Sequence, residues 1–160
     1  MRSRNLYSWL QAGLAFCGAA DAGTLYWAHK SNVELPCTSG GGCDLVYQSH
    51  WSHILILHHS IPIALVGAFA YAVILLTAAL KLTSESERLS RGLHKFLFLI
   101  CAIGTIISWY LQDVSAVDIG AFCIYCRVSA IIMTLIFISS VAEVFQMKMS
   151  KQRVGLPNKI

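Results

Sequence analysis

The sequence predicts an all-α integral membrane fold with four crossings. Of its 160 residues, 56% are apolar and only 12% charged, with a mean hydropathy of +0.62. A soluble domain carries about 25% charged residues. Four apolar stretches, residues 6–28, 62–80, 93–111 and 119–145, are long enough to be spans. A helix needs about 20 such residues to cross a hydrocarbon core roughly 30 Å thick. The third observation is the one-sided placement of the basic residues, set out below. There is no internal repeat and no Pro- or Ser-rich linker, so residues 1–160 read as one domain.

The first stretch follows Arg2 and Arg4 and runs into small residues at 18–23, which imitates a secretory signal. Residues 14–17 also loosely imitate a lipoprotein cleavage site. The run is long for a signal, however, and Phe16 is large where a small residue is needed. Removing it would leave an odd number of crossings, so it reads as a span. Asp21 lies inside it, where an ionisable group is expensive and marks a functional position by default. Gly18, Ala19, Ala20 and Gly23 around it would equally suit a close helix contact that hides the carboxyl. The next apolar run could start at 54, but Pro62 would then sit inside a helix. Proline is tolerated in the first turn, where its missing N–H has no partner anyway. Residues 54–59 are therefore expected to form a short interfacial segment, with the span starting near Ser60.

The twelve basic residues sort by side. Arg2 and Arg4 precede the first span; Lys81, Arg88, Arg91 and Lys95 lie around the second connection; Lys148, Lys151, Arg153 and Lys159 follow the last span. Only Lys30 and Arg127 fall elsewhere. The positive-inside rule puts both termini in the cytoplasm and the loops at 29–61 and 112–118 outside. The net charge of +4 thus sets topology and is no sign of nucleic-acid binding.

Four of the six cysteines form two close pairs on the outer side: Cys37 with Cys43, and Cys123-Ile-Tyr-Cys126. Disulfides persist in that compartment. Cys123 and Cys126 are three apart near a helix start and share a face. A helix N-terminus and Arg127 both favour a thiolate there, the attacking species in disulfide exchange. Cys37 and Cys43 enclose Thr-Ser-Gly-Gly-Gly, a loop loose enough to let either sulfur change partner. Zinc is disfavoured because structural zinc sites sit in closed soluble folds. Two static disulfides would gain little from so loose a loop. Cys17 and Cys101 lie inside spans and read as small packing residues.

In order and spacing these residues resemble the vitamin K epoxide reductase family, especially its bacterial members. The resemblance runs from about Thr24 to Ala130: Cys37-x5-Cys43, Asp44-Leu45-Val46, Ser49, Trp51, Ile61-Pro62-Ile63-Ala64, Gly67 through Tyr71, and the CxxC opening the fourth span. DsbB, another four-span oxidase, is similar in plan but carries its CxxC in the first external loop. The resemblance implies a four-helix bundle around a quinone (ubiquinone or menaquinone), capped by an external loop or short interfacial helix. It also implies roles. Cys43 would exchange with a secreted or periplasmic thioredoxin-like (DsbA-like) partner, Cys37 would attack Cys123, and Cys126 would pass electrons to the quinone. Ser49 matches a family residue near the quinone, and Trp51 and Phe122 are candidates to flank its ring. The setting implied is a bacterial cytoplasmic membrane, with the cysteines on the periplasmic side. No fused thioredoxin-like domain is evident, so the partner is expected to be a separate protein. Direction follows potential, since about 30 mV corresponds to about 1.4 kcal/mol for a two-electron couple.

Two departures from the bacterial pattern stand out. The stretch between Trp51 and Pro62 is about four residues longer, and Ser60 replaces a usual glycine. His50, His53, His58 and His59 cluster there, as headgroup-level polar residues, a metal site or a proton source. Asp113 and Asp118 are expected in solvent, and Trp27, Trp51, Trp109 and Tyr110 at the outer interface. Two other functions fit the same residues: a vitamin K epoxide or quinone reductase, and a non-enzymatic tetraspan scaffold with structural disulfides. The short loop between Cys37 and Cys43 resembles bacterial oxidases more than animal reductases.

Overall fold

Four long helices carry most of the chain. The computed structural model describes residues 2–31, 33, 42–56, 59–84, 86–121 and 123–154. Cys37, His58 and Phe122 lie outside the described residues. In order, the elements are α1 (Arg2–Lys30), α2 (Gly42–Gln48), a single 3-10 turn at His50–Ser52, β1 (His53–Ile56), β2 (His59–Pro62), α3 (Ile63–Thr83), α4 (Glu87–Val114), a π turn at Ser115–Ile119 and α5 (Ile124–Val154). Three stretches among the described residues are long and apolar enough to cross a membrane: Ile63–Thr83, Arg88–Ile119 and Ile124–Gln146. The 29 residues of α1 extend about 43 Å, which is ample length. Its hydropathy is lower, because Gln11, Asp21 and three glycines interrupt the apolar run.

Two boundaries depart from the expected ones. The sequence reads 112–118 as an outer loop and starts the last span at 119. Instead α4 continues helically to Val114 and closes with a π turn. Gly120, at φ 66°, ends that turn in the left-handed region, with its N–H bonded to the Ser115 carbonyl. The last helix therefore begins five residues later than expected, at Ile124, directly after Cys123. The expected interfacial segment at 54–59 carries β1 and the start of β2 among its described residues. It is an antiparallel β-hairpin in which His53 pairs with Pro62, Ile54 with Ile61, Leu55 with Ser60 and Ile56 with His59. Ile54 and Ile56 are β-branched and suit a strand, and the run is too short to favour a helix. Pro62 lacks a ladder donor and ends the strand where α3 begins. A short helix, α2, lies in the connection between α1 and α3.

Along the bundle, α1 lies against α3 and α5, while α4 packs on α5. Ala15, Ala22, Tyr71, Ile74, Leu97, Cys101, Met133 and Ile136 form its core. Gly18 permits the close approach of α1 to α3: a Cβ there would collide with the Tyr71 ring. Gly23 has open space instead, so the small-residue contact is confined to one turn. Outward positions carry Phe16, Phe69, Leu76, Ile106, Ile138 and Phe145, an apolar coat suited to lipid. Cys101 is buried as expected, whereas Cys17 is exposed and does not pack internally.

A buried polar cluster ties all four long helices at the end away from the paired cysteines. Lys81 Nζ of α3 lies 2.7 Å from Glu143 Oε2 of α5 and donates to Gln11 Oε1 of α1 at 2.9 Å. Gln11 Nε2 donates to Glu143 Oε2 and to Ser140 Oγ, both at 3.3 Å. His94 Nδ1 of α4 stands 3.2 Å from the same carboxylate oxygen. Lys81, counted from sequence as a topology-setting surface charge, is in fact 1% exposed at its side chain.

Candidate active site

At the opposite end, a cavity of about 680 Å³ opens between the helices beneath α2 and the 3-10 turn. Small-molecule sites commonly enclose 300 to 1,000 Å³, as an order of magnitude. Cys43, Cys123 and Cys126 all face it.

The late start of α5 positions the CxxC pair. Cys123 immediately precedes the first helical residue, so its sulfur takes the place of a capping oxygen and accepts the Cys126 N–H at 3.3 Å. The Cys126 thiol points at the same sulfur, 2.7 Å away. A disulfide spans about 2.05 Å, so the pair closes with little movement. The Cys126 side chain is the main cause holding the Cys123 thiol below its ordinary range; backbone N–H groups of Cys126 and Tyr125 add to this, and burial opposes it. Arg127, the charge singled out from sequence, is exposed. Cys43 sits in the first turn of α2, 1% exposed and disulfide-bonded.

Of the proposed quinone contacts, Ser49, Trp51 and Cys126 line the cavity. Phe122 lies outside the described residues. The Ser49 hydroxyl donates to the Val46 carbonyl at 2.6 Å, leaving its oxygen free to accept. Trp51 meets Tyr110 edge-on, with ring centroids 6.5 Å apart. His53 faces the cavity, His50 lies in the 3-10 turn and His59 in β2. Among the described residues, no three His, Cys, Asp or Glu side chains stand close enough to share a metal. Asp113 and Asp118 are exposed, and Trp27, Trp109 and Tyr110 also face outward.

Sequence reading missed several cavity residues. His29 and Tyr47 stack with centroids 3.7 Å apart and planes within 1°. Tyr71 donates to the Ser129 carbonyl at 2.7 Å, joining α3 to α5 at the inner end. No spacing rule links positions so far apart in the chain. Asp21 faces the cavity and is not hidden in the helix contact. The lining is mainly apolar, with hydroxyls and sulfurs at defined places. That composition fits a quinone: an apolar slot for the ring, acceptors and donors for its oxygens, and a dithiol within it. The sequence profile of the Vitamin K epoxide reductase family matches residues 9–141.

Proposed function

Since the chain belongs to the vitamin K epoxide reductase family, membrane oxidoreductases of thiol and quinone chemistry, we propose that it oxidises a thioredoxin-like partner and supports disulfide formation. In this reading α1 is a fourth crossing, and the cavity end faces the outer, periplasmic side of a bacterial cytoplasmic membrane. The charge distribution supports that orientation. Cys37 and Cys43 form the outer pair, and Cys43 exchanges with the partner. With Cys123 and Cys126 joined as a disulfide, Cys37 then attacks Cys123, forming the Cys37–Cys123 bond, breaking the Cys123–Cys126 bond and releasing Cys126, the innermost sulfur, as a thiolate. Ser49, Trp51 and Phe122 would hold the quinone, ubiquinone or menaquinone, which when bound supplies a two-electron acceptor.

The observation that carries the reading is the opening of Cys43 and the Cys123/Cys126 pair onto one cavity. Thiol exchange needs sulfurs a partner can reach, while quinone binding needs an apolar slot. A single cavity lined by all three sulfurs supports a relay. The test is trapping. A partner left with only its attacking cysteine should break the Cys37–Cys43 disulfide and accumulate as a mixed disulfide on Cys43, with Cys37 released as a thiol. In Cys126→Ala, the Cys123 thiolate should attack Cys37 of the Cys37–Cys43 disulfide and release the Cys43 thiol, so that a Cys37–Cys123 bond accumulates, read by peptide mass spectrometry. Partner trapped on Cys123, or on no cysteine, would refute the order of transfer.

A further inference from the structure

Asp21 is the one acidic side chain among the described residues that lines the cavity. It lies on α1 at the level where Gly18 meets Tyr71 and Ala22 approaches Gly67. Among the described residues it has neither a hydrogen-bond nor an ion-pair partner. Its charge reaches Tyr71, Cys123 and Cys126. An ionisable group at such depth is expensive and marks a route for charge or protons. The thiols that share the cavity must shed protons to become a disulfide, and no other carboxylate among the described residues lines it.

We propose that Asp21 is the proton carrier of the innermost redox step, taking the proton of the Cys126 thiol and holding it toward the cavity for the oxygen of the bound acceptor. This rests on the quinone reading above. The balance is simple. Cys123 and Cys126 lose two S–H bonds and gain one S–S bond, and their electron pair goes to the quinone. Two O–H bonds form on that acceptor. Asp21 delivers one proton and returns to the carboxylate; the Cys123 proton reaches the other oxygen through solvent at the outer mouth of the cavity.

Besides Asp21, the titratable groups sharing the cavity are His29 on α1, Tyr47 on α2, His53 on β1, Tyr71 on α3, Tyr110 on α4, Tyr125 on α5, and the two α5-side cysteines. Asp21→Asn leaves all of these in place, so a difference between the two proteins belongs to Asp21. The first readout uses quinone-free protein in a Cys123→Ala background, following Cys126 methylthiolation against pH. Groups that titrate against each other give two macroscopic steps. With Asp21 a two-step profile is expected, and with Asn a single step. The second readout is quinone reduction in the otherwise native protein. Asp21→Asn should slow it about 100-fold, the usual scale of general acid–base assistance, and Asp21→Glu should restore part of the rate. Superimposable thiol profiles, or unchanged turnover in Asp21→Asn, would overturn the carrier role. Loss of quinone reduction in the wild type itself would instead overturn the underlying function.

Discussion

Replacing Lys81 with methionine strands a carboxylate inside the bundle. Lys81 Nζ lies 2.7 Å from Glu143 Oε2 and 2.9 Å from Gln11 Oε1, with both ionic side chains at most 3% exposed. In Lys81→Met, Glu143 keeps only the Gln11 amide at 3.3 Å and His94 at 3.2 Å. Breaking one half of a buried ion pair costs about 3–5 kcal/mol, because the remaining charge stays desolvated. For a chain of this size each kcal/mol moves the melting temperature by about 2–4 °C. The expected loss is therefore roughly 6–20 °C, read as the apparent midpoint of tryptophan fluorescence in detergent at a fixed scan rate. The double variant Lys81→Met/Glu143→Leu buries no charge and should recover most of that loss, giving a coupling of at least about 2 kcal/mol. A single variant within 2 °C of wild type, about 0.5–1 kcal/mol on that scale, would refute the reasoning. So would a double variant no more stable than the single.

Four other perturbations have defined outcomes. Gly18→Ala forces a methyl into the Tyr71 ring and should cost about 1–3 kcal/mol by overpacking. Gly23→Ala, which meets only open space, should gain a few tenths to about 1 kcal/mol in the same melt. Cys123 titrates below an ordinary thiol, so around neutral pH it should react with a small thiosulfonate faster than a free cysteine. Because its folded value is depressed, the linked stability is fully present above the ordinary thiol value, about 8.5, and disappears as pH falls through the lowered one. Cys126→Ala removes the main cause, and the reactivity profile should move to higher pH. An unmoved profile would assign the activation elsewhere. Trp51→Ala should raise the KM for quinone about threefold to tenfold, the worth of an aromatic contact, with kcat changed less.

Much of the architecture was legible because composition and charge placement are coarse, redundant signals. Three of the apolar stretches are helices long and apolar enough to span a membrane. The ends were less legible. Gly120 carries the stop of α4 and so delays α5 to Ile124, and a lone glycine between two apolar runs does not announce its φ. The hairpin at 53–62 was missed because a short apolar run such as Ile54 to Ile56 fits helix and strand alike. The Lys81–Glu143 cluster was invisible for a different reason. Lys81 and Gln11 lie 62 and 132 positions from Glu143, and Lys81 fits the positive-inside pattern equally well. One signal did exist. Glu143 falls inside the stretch read as 119–145, where an ionisable residue deserved the same suspicion as Asp21. For the site, the two cysteine pairs were plain from spacing, whereas the His29–Tyr47 stack and the Tyr71–Ser129 bond arise only from packing.

The relay claim is tested most directly by quinone reduction in detergent, followed by absorbance and driven by a reduced thioredoxin-like partner. Wild type, Cys43→Ala and Cys126→Ala are compared side by side. Turnover in the wild type with background rates in both variants is the predicted result, since it puts both pairs on one electron path. Turnover that survives either substitution would contradict it.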